Sequence, residues 1–372
     1  MKIAILDVTG RIPIYDNYLC DALTEKGDIT LISPNCNVFE HSYAAYKLLG
    51  GDKSIFRSNI ILKFISAVLN YFLFSILLVL KKYDIVHIQW LPLLEKTSIE
   101  LLFLKLFRLL SPKTVIVYTI HNVFPHNYQE KRKDRYRRKV KALDQFIEAF
   151  VVHTFSSQKE VSDEFNIKKE KVSVVHHGII APKSIPLRSR EDSKLRFLMF
   201  GNQSYYKGSD LLVEAFSMLD SKYKSNIEVR ILGITSPEMK SYQLKAEKMG
   251  IMWHDKFVAD DALYREIANS DILIFPYRSI SQSGALLLAL PFKKLLILSD
   301  LPSFKETLYN FPNYAFFNAC SAESLKETME YYITHLTSLE SEKVSLEILN
   351  GEYSWKKSAD KLLNLYSKLI YN

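Results

Sequence analysis

The 372-residue chain is 48% hydrophobic and 24% charged, which excludes an intrinsically disordered protein and fits a folded chain long enough for two domains. Its formal charge of +8 indicates an anionic partner such as a nucleotide, an anionic lipid or a nucleic acid. The three cysteines lie far apart, which excludes a disulfide framework and a cysteine metal cluster and fits a reducing compartment.

The chain begins with a predicted buried strand, Lys2 to Asp7, and a loop in which Gly10 permits close approach to a ligand or a facing domain. A helix over Tyr18 to Leu23 and a strand over Ile29 to Ser33 continue the β-α-β order of a doubly wound sheet. The start does not have the pattern of a signal peptide, so we expect a cytoplasmic location. The GxGxxG fingerprint is absent, so no nicotinamide or flavin cofactor is expected.

The most apolar stretch runs from Ile60 to Leu80 and carries no charge after Lys63. This length is at the lower limit for spanning a bilayer, so a transmembrane helix is one interpretation. We favour a crossover helix packed on the sheet with one face against a membrane, because the next strand, Tyr83 to Trp90, begins after only two lysines.

Within the strand Tyr83 to Trp90, the core runs from Asp84 to Gln89, and a further strand is predicted over Thr114 to Ile120. Loops after such strands carry the chemistry of doubly wound sheets. His121 directly follows the second of these strands. A lone histidine is often only structural, but this position is also suited to a site residue, and both roles remain open.

The segment from Glu130 to Lys141 is dense in lysine and arginine. It is either a solvated helix face or a patch for anionic lipid headgroups or a phosphorylated acceptor. Nucleic acid is not expected as a partner, because Tyr136 is the one aromatic residue in this segment and aromatic residues are not interleaved along it as stacking platforms. The arginines of the candidate patch are Arg132, Arg135, Arg137 and Arg138.

The stretch from Ala181 to Lys194 is rich in proline, serine and charge, which is typical of a domain boundary. After it the β-α-β order restarts, with a strand near Phe197 and a loop that carries Lys207. A helix is predicted to begin near Ser209 and Asp210, which are good capping residues. A helix N-terminus and an ammonium group together suit a phosphate, although such a lysine can also be merely solvated.

A second candidate anion site lies at Ser281 to Gly284, before a helix of leucine and alanine. Small residues there let backbone N–H groups approach a diphosphate, whereas the alternative is an ordinary capped helix. Because Lys207 is in the same predicted domain, we favour phosphate binding.

Taken in order, these segments resemble the GT-B glycosyltransferases of glycosyltransferase family 4. The resemblance rests on five segments, YTIHNVFPH, VSVVHHGI, FGNQSYYKGSDLLVEAF, DKFVADDALYREIANSDILIFPYRS and YSWKKSADKLLNLYSKLI. It implies an α/β fold of two doubly wound Rossmann-like domains facing across a cleft. The N-terminal acceptor domain is 1–185, onto which 354–372 pack back, and the C-terminal donor domain is 186–353.

The resemblance implies transfer of a sugar, with retention of configuration, from a nucleotide-diphosphate sugar to a glycan or lipid-linked acceptor in surface polysaccharide synthesis. It implies that Lys207 binds the donor diphosphate, that His121 contacts the transferred sugar, and that Gly10 lines the cleft. The Ser283–Gly284 backbone is expected to cradle the distal phosphate or sugar. The other donor-binding positions it implies are Gly201, Asn202, Gly233, Phe257, Val258 and Ser281.

The chain departs from the family pattern at two places. Asn202 stands where the family has an arginine, and the paired glutamates are missing, their positions falling near Ser281 and near Leu288 or Ala289. In the family the second glutamate commonly holds the nucleotide ribose. We hypothesise that Glu306, in the loop after the strand that follows, compensates for its absence. The departures leave open an inactive GT-B protein that binds nucleotide-sugar or glycan, and another GT-B class such as a nucleotide-sugar epimerase.

The leaving diphosphate can be stabilised without a metal by Lys207, backbone amides and a helix dipole. No Asp-x-Asp pair stands at a predicted strand end, so we expect neither a metal nor another cofactor. The apolar helix and the basic segment both lie in the N-terminal half, where this fold takes its acceptor. They predict a cytoplasmic enzyme, peripheral on the inner face of the plasma membrane, and argue against the epimerase.

Overall fold

The structure is a computed structural model that describes residues 1–36, 43–51, 54–55, 59–125, 130–182, 184–190, 192–309, 311–335 and 351–371. The chain divides into two compact units. The first comprises Met1–Gly178 and Tyr353–Asn372, and the second comprises Ile179–Glu352. The first boundary therefore falls a few residues before the one placed at 185 from the sequence.

The described strands of the first unit are β1 (Lys2–Asp7), β2 (Asp28–Ser33), β3 (Ala44–Lys47), β4 (Ile85–Trp90), β5 (Val115–Thr119), β6 (Ala149–Val152) and β7 (Val172–Val174). They form one parallel sheet in the order β3-β2-β1-β4-β5-β6-β7. Ile3 is in register with Ile29 on one side and Ile85 on the other. The strand order reverses between β1 and β4, and ligands of open α/β sheets bind beyond the carboxyl ends at such a switch point.

The described α-helices before the boundary are α1 (Pro13–Leu23), α2 (Ile60–Lys81), α3 (Ile99–Leu110), α4 (Glu130–Leu143) and α5 (Phe155–Phe165). Successive side chains of a strand point to opposite faces, so each face of the sheet has its own core. Ala4 and Leu6 share a cluster with α2, α3, α4 and α5, whereas Ile3 and Ile5 pack with α1. The helices α2, α3 and α4 therefore cover the same face of the sheet.

Helix α2 connects β3 to β4, as the crossover interpretation predicts. Its inner face is held by Asn70, whose Nδ2 donates to the Val8 carbonyl at 2.8 Å and the Leu49 carbonyl at 2.9 Å. Tyr71 on the same face donates to Glu100 Oε1 at 2.5 Å, which joins α2 to α3. By length and composition alone α2 could also cross a membrane, and about a third of its most apolar window is buried in the protein.

The described strands of the second unit are β8 (Leu195–Phe200), β9 (Ile227–Leu232), β10 (Met252–His254), β11 (Ile272–Phe275), β12 (Leu295–Ser299) and β13 (Tyr314–Phe317). They form a parallel sheet in the order β10-β9-β8-β11-β12-β13. The order reverses between β8 and β11, which places the switch point of this sheet beyond Phe200 and Phe275.

The described α-helices of the second unit are α6 (Ser209–Met218), α7 (Ser221–Lys224), α8 (Lys240–Lys248), α9 (Asp260–Ala268), α10 (Gly284–Ala289), α11 (Pro302–Thr307) and α12 (Ala322–His335). Phe197 and Met199 of β8 pack with α6, α8 and α12 on one face. On the other face Phe275 packs edge-on against Phe304 of α11. Both units are thus doubly wound α/β domains, as predicted.

The last helix, α13 (Trp355–Tyr371), belongs to the first unit and packs against α1 on the β1 face. Tyr366 is fully buried, and its hydroxyl lies 2.5 Å from His87 Nδ1. Gly178 is required at the end of the first segment, because a Cβ there would lie 2.3 Å from the Trp355 ring. The tail therefore packs onto the N-terminal unit through specific contacts.

Candidate functional site

Two glycines with positive φ follow β8 and β9 at the carboxyl edge of the second sheet. Gly201 ends β8 with φ +101°, and Gly233 ends β9 with φ +130°. A Cβ on Gly233 would lie 2.1 Å from the Gly201 carbonyl oxygen, so the two backbones meet at a distance that only glycine permits. The carboxyl ends of β8 and β9 therefore carry no side chain at these positions, and the Gly201 carbonyl packs directly against Gly233.

Lys207 reaches back over this edge of the sheet. Its Nζ would lie 2.8 Å from a Cβ built on Gly201, and it is 3.0 Å from the hydroxyl of Tyr277. The ammonium also lies 4.9 Å from the centre of the Tyr277 ring. Burial opposes its charge, but Tyr277 and Tyr206 outweigh burial and raise the pKa of Lys207 above its ordinary value. Lys207 is therefore a fixed cation, partly buried beside a glycine edge.

The helix after the lysine begins at Ser209, as predicted, but the predicted capping residues do not cap it. The N-cap is Gly208, with φ +73° and no side-chain hydrogen bond to the helix. A Cβ on Gly208 would lie 1.9 Å from the Pro276 carbonyl oxygen, so the lysine loop and the segment after β11 are in backbone contact.

Asp210 forms an ion pair instead of a cap. Both of its carboxylate oxygens accept from Arg278, at 2.8 and 2.6 Å. The Arg278 guanidinium also lies 4.0 Å from the centre of the Tyr205 ring. Asn202, which replaces the family arginine, is exposed. Arg278 brings an arginine close to the loop, but its charge is compensated by Asp210, so Lys207 supplies the cation here.

The second anion segment follows β11 at the same edge. Ser283 caps α10, because its Oγ accepts from the Leu286 amide at 3.1 Å. Gly284 is exposed, and a Cβ on it would have no neighbour within 4 Å. Both amide atoms of Gln282 are buried without a hydrogen-bond partner. The segment therefore combines an open glycine with an unsatisfied amide, but α10 is a single short helix and its dipole is small.

The remaining donor-side predictions are less closely grouped. Glu306 lies half-buried on α11, which is tied to the loop after β11 by a 2.9 Å hydrogen bond from Ser303 Oγ to the Ile280 carbonyl. Phe257 and Val258 follow β10 at the same edge of the sheet, and the Phe257 side chain is 77% exposed.

The first unit carries the other predicted residues, Gly10 and His121. The loop that contains Gly10 is organised by Asp7, whose carboxylate accepts from the amides of Gly10 at 2.9 Å and Arg11 at 2.6 Å. Asp16 on α1 is buried beside it. Burial and the negative charge of Asp7 raise the pKa of Asp16 well above its ordinary value.

His121 belongs to a group of histidines at the carboxyl ends of β5, β6 and β7. Its Nδ1 lies 3.0 Å from His153 Nε2, and its Nε2 lies 3.3 Å from Gln89 Oε1. The His121 ring stacks on Trp90, and Tyr15 contacts it edge-on. Burial and the neighbouring His153 lower the pKa of His121 well below its ordinary value. The group is therefore a neutral network rather than a cationic patch.

The structure thus brings Gly201, Gly233 and Lys207 together at the carboxyl edge of the second sheet and places Gly10 and His121 in the other unit. Among the described residues, no group of three or more His, Cys, Asp or Glu side chains is arranged to hold a metal ion. Sequence reasoning missed Tyr277 and His153. The repetition of a histidine after three consecutive predicted strands was a signal for His153, but Tyr277 had none.

Comparisons with known proteins agree with this architecture. The family model described as glycosyl transferases group 1 matches residues 184–341, and the model described as Glycosyltransferase Family 4 matches residues 17–181. The curated GDP-mannose:glycolipid 4-beta-D-mannosyltransferase of Xanthomonas campestris pv. campestris is 24% identical over 224 residues. That match covers 57% of this chain and 60% of the relative, so less than two thirds of the relative's length is represented.

Solved structures are similar over the whole chain. A glycosyltransferase from Rickettsia africae has a TM-score of 0.68 at 15% identity and covers 100% of this chain and 98% of its own. Anabaena HepE in complex with UDP and glucose has a TM-score of 0.70 at 13% identity, with 99% and 100% covered. At these identities the likeness shows the fold. With the two family models, it establishes that the chain belongs to the GT-B glycosyltransferases of the group 1 and family 4 type.

Proposed function

We propose that this protein transfers a sugar from a nucleotide-diphosphate sugar to a glycan or lipid-linked acceptor. The observation that carries the proposal is the fixed ammonium of Lys207, which Tyr277 holds at the glycine edge of the second sheet. A diphosphate needs a cation and backbone N–H groups at a point that its phosphates can approach closely. The absence of side chains at Gly201 and Gly233 lets the Lys207 ammonium lie directly against the backbone at the end of β8.

The chemistry assigned to this site is stabilisation of the leaving nucleoside diphosphate. Negative charge grows on the diphosphate as the glycosidic bond breaks, and a preorganised cation stabilises that charge without reorganisation. Lys207 supplies the cation, and α6 directs its N-terminus to the same loop. We therefore propose metal-independent transfer, for which turnover in EDTA equals turnover in Mg²⁺. Loss of activity in EDTA that Mg²⁺ restores would refute this part of the proposal.

The proposed acceptor is a glycolipid on the cytoplasmic face of a membrane. The acceptor named for the Xanthomonas relative is a glycolipid, and its donor is GDP-mannose. We take GDP-mannose as the first donor to test, and a role in surface polysaccharide synthesis follows if the acceptor is lipid-linked.

The proposed membrane contact is the outer face of α2. This face is apolar yet exposed, and it continues onto α3 at Leu102 and Leu109. An exposed apolar surface of this size is unusual for a protein that has no partner. The exposed members of the α2 face are Ile60, Ile61, Phe64, Ile65, Leu69, Phe72, Leu73, Ile76, Val79 and Leu80.

The basic helix α4 covers the same face of the sheet as α2. Arg132, Arg135 and Arg138 are exposed on it, as an electrostatic contact with anionic lipid requires. Arg137 differs, because its guanidinium forms ion pairs with Asp134 and Glu164 at 2.7 Å. We therefore assign the membrane contact chiefly to the α2 face. Three of the four arginines add an electrostatic contact, and Arg137 does not.

Whether the transfer retains or inverts the anomeric configuration of the sugar is a separate question. The family 4 resemblance implies retention, whereas the name of the Xanthomonas relative specifies a beta-linked product. An α-linked donor that yields an α-linked product has been transferred with retention, and a β-linked product requires inversion. Proton NMR of the anomeric position in the product distinguishes the two outcomes.

The second candidate function is binding of a nucleotide-sugar or glycan without turnover. The second family glutamate maps to Leu288 or Ala289. Ala289 is fully buried and cannot contact a ribose, which favours this second function. Glu306 on α11 is the candidate replacement, and full activity of a Glu306→Ala variant would contradict that role.

The test is release of nucleoside diphosphate from a panel of nucleotide-sugars, measured with and without glycolipid extracted from a bacterial membrane. The proposal expects one donor to be turned over, with release accelerated by the acceptor and a radiolabelled sugar recovered in the lipid. Saturable binding of a donor without release or transfer would favour the non-catalytic alternative. Absence of both binding and turnover across the panel would contradict both functions.

A further inference from the structure

Three neighbouring strands of the first sheet end in histidine side chains that contact one another. His121 follows β5, His153 follows β6, and His177 follows β7. His153 is buried between two partners, with its Nδ1 2.9 Å from the Val175 carbonyl oxygen and its Nε2 3.0 Å from His121 Nδ1. The Val175 carbonyl, the His153 ring and the His121 ring therefore form a hydrogen-bonded chain.

The carbonyl at the end of this chain fixes the position of each hydrogen. A carbonyl oxygen only accepts, so the Nδ1 of His153 must carry a hydrogen and donate it to Val175. Burial lowers the pKa of His153 to about 4, which leaves the ring neutral at physiological pH. The Nε2 of His153 is then unprotonated and accepts, and the nitrogen that donates to it is the Nδ1 of His121.

His121 is also neutral, since burial and the facing His153, His177, His87 and Arg11 all act to lower its pKa. With its hydrogen on Nδ1, its Nε2 carries a lone pair. Gln89 agrees with this assignment. The Nε2 of Gln89 is buried without a partner, and turning the amide by 180° directs its N–H toward the His121 lone pair, where a sugar hydroxyl would replace it as the donor.

We propose that His153 is a positioning residue that holds His121 as the Nδ1–H tautomer, so that the Nε2 of His121 is an acceptor for a sugar hydroxyl. The sugar-hydroxyl part rests on the proposed function, whereas the tautomer does not. Histidine free in water prefers the Nε2–H tautomer, so the fold reverses the intrinsic preference. The Trp90 ring stacked on His121 and the edge of Tyr15 hold the ring in this orientation.

The test is nitrogen NMR of the full chain labelled with ¹⁵N only in its histidine rings, in which protonated and unprotonated ring nitrogens are resolved. The chain contains nine histidines, and a His121→Gln variant identifies the signals of His121. Two variants then separate the hydrogen bond from packing. His153→Gln keeps an acceptor oxygen close to the position of the lost Nε2, whereas His153→Leu keeps the bulk without an acceptor. His335→Gln, at an exposed histidine of the second unit, is the matched control.

The native spectrum is expected to show His121 protonated at Nδ1 and unprotonated at Nε2. The pattern should survive in His153→Gln and His335→Gln and should change toward the Nε2–H form in His153→Leu. A native His121 that is doubly protonated or protonated at Nε2 would overturn the proposal even if the leucine variant does not fold. An unchanged His121 in a folded leucine variant would overturn it as well.

Kinetics give a second readout that separates this proposal from the proposed function. If a donor is found, kcat should fall at least about tenfold in His153→Leu and recover most of that loss in His153→Gln. Equal losses of kcat in both variants would contradict the positioning role. The expected NMR pattern in a chain that turns over no sugar donor supports the tautomer assignment and overturns the transferase function.

Discussion

The ammonium nitrogen of Lys207 lies 3.0 Å from the hydroxyl oxygen of Tyr277, although the two residues are 70 positions apart. Lys207 follows β8 and Tyr277 follows β11, so the pair spans the switch point of the second sheet. A flexible lysine is thereby held in one place before any ligand arrives. Binding then loses less side-chain entropy than it would with a solvated lysine.

Tyr277→Phe tests this preorganisation. The variant keeps the ring under the ammonium but removes the hydroxyl that orients it. A hydrogen bond of this kind is worth about 0.5–1.5 kcal/mol, so nucleoside diphosphate should bind about two- to tenfold more weakly in calorimetry. Tyr223→Phe, on α7 of the same unit, should leave the affinity unchanged. Wild-type affinity in Tyr277→Phe would show that Tyr277 does not position the lysine.

Gly208→Ala tests the backbone contact between the lysine loop and Pro276. Both Gly208 and Gly250 have positive φ, but a Cβ at Gly208 would meet Pro276 O at 1.9 Å, whereas Gly250 has no neighbour within 4 Å. Gly250→Ala should therefore cost only the left-handed backbone penalty of about 1–2 kcal/mol. Gly208→Ala should cost more and should also weaken diphosphate binding, because the loop must move. Equal losses of stability in urea unfolding would contradict this contact.

Asp16→Asn should stabilise the protein, increasingly so as the pH rises. The pKa of Asp16 is raised in the folded state by burial and by Asp7. Folding therefore takes up a proton above the unfolded pKa, and wild-type stability falls as the pH rises toward the folded pKa. Asparagine is neutral at every pH and avoids this loss, so the stability difference should grow by up to about 1.4 kcal/mol per pH unit.

Urea unfolding of Asp16→Asn and wild type between pH 5 and 9 measures that difference. Asp163→Asn, at an exposed position on α5, is the control and should follow the wild-type curve. A difference between Asp16→Asn and wild type that stays constant with pH would mean that Asp16 is already ionised in the folded protein.

Membrane binding is expected to depend more on α2 than on the arginines of α4. The triple variant Phe72→Ser, Ile76→Ser, Leu80→Ser should bind vesicles with anionic lipid at least about tenfold more weakly at both low and high salt, because burial of apolar area is insensitive to screening. Reversing Arg132, Arg135 and Arg138 to glutamate should weaken binding mainly at low salt.

Leu187→Ser is the control for the apolar variant, since this leucine is 89% exposed but lies in the second unit. Vesicle co-sedimentation gives the measurement. Binding by the α2 triple variant that equals wild type at high salt would exclude α2 as the membrane contact.

Much of the fold could be predicted because its strands are short apolar runs that end in glycine, histidine or a polar loop. The sequence predicted β1 at Lys2 to Asp7, where the structure has it, and placed the helix now seen as α2 within a residue of its end. It did not predict β10, because Met252 to His254 is a three-residue edge strand whose pattern does not differ from that of a loop.

The candidate site was predicted only where one stretch of sequence carries all the information. The Lys207 loop is such a stretch, and the structure places its lysine at the switch point. The pairing of Asp210 with Arg278 could not be predicted in this way, because it joins residues from two different crossovers. Local reasoning assigned Asp210 to a cap, and tertiary contact with Arg278 overrode that local preference. His153 was missed for the same reason, since its role depends on the strand order β5-β6-β7.

The most direct test of the central claim is calorimetric titration of nucleoside diphosphates into the wild-type protein and a Lys207→Met variant at low salt. Lys222→Met is the matched control, because its side chain is 65% exposed on α7 of the same unit. One nucleoside diphosphate is expected to bind the wild type and the control equally. The Lys207→Met variant should bind it about 10- to 150-fold more weakly, the loss expected for one charge-assisted hydrogen bond. Binding unchanged in Lys207→Met, or no nucleoside diphosphate bound by the wild type, would contradict the account.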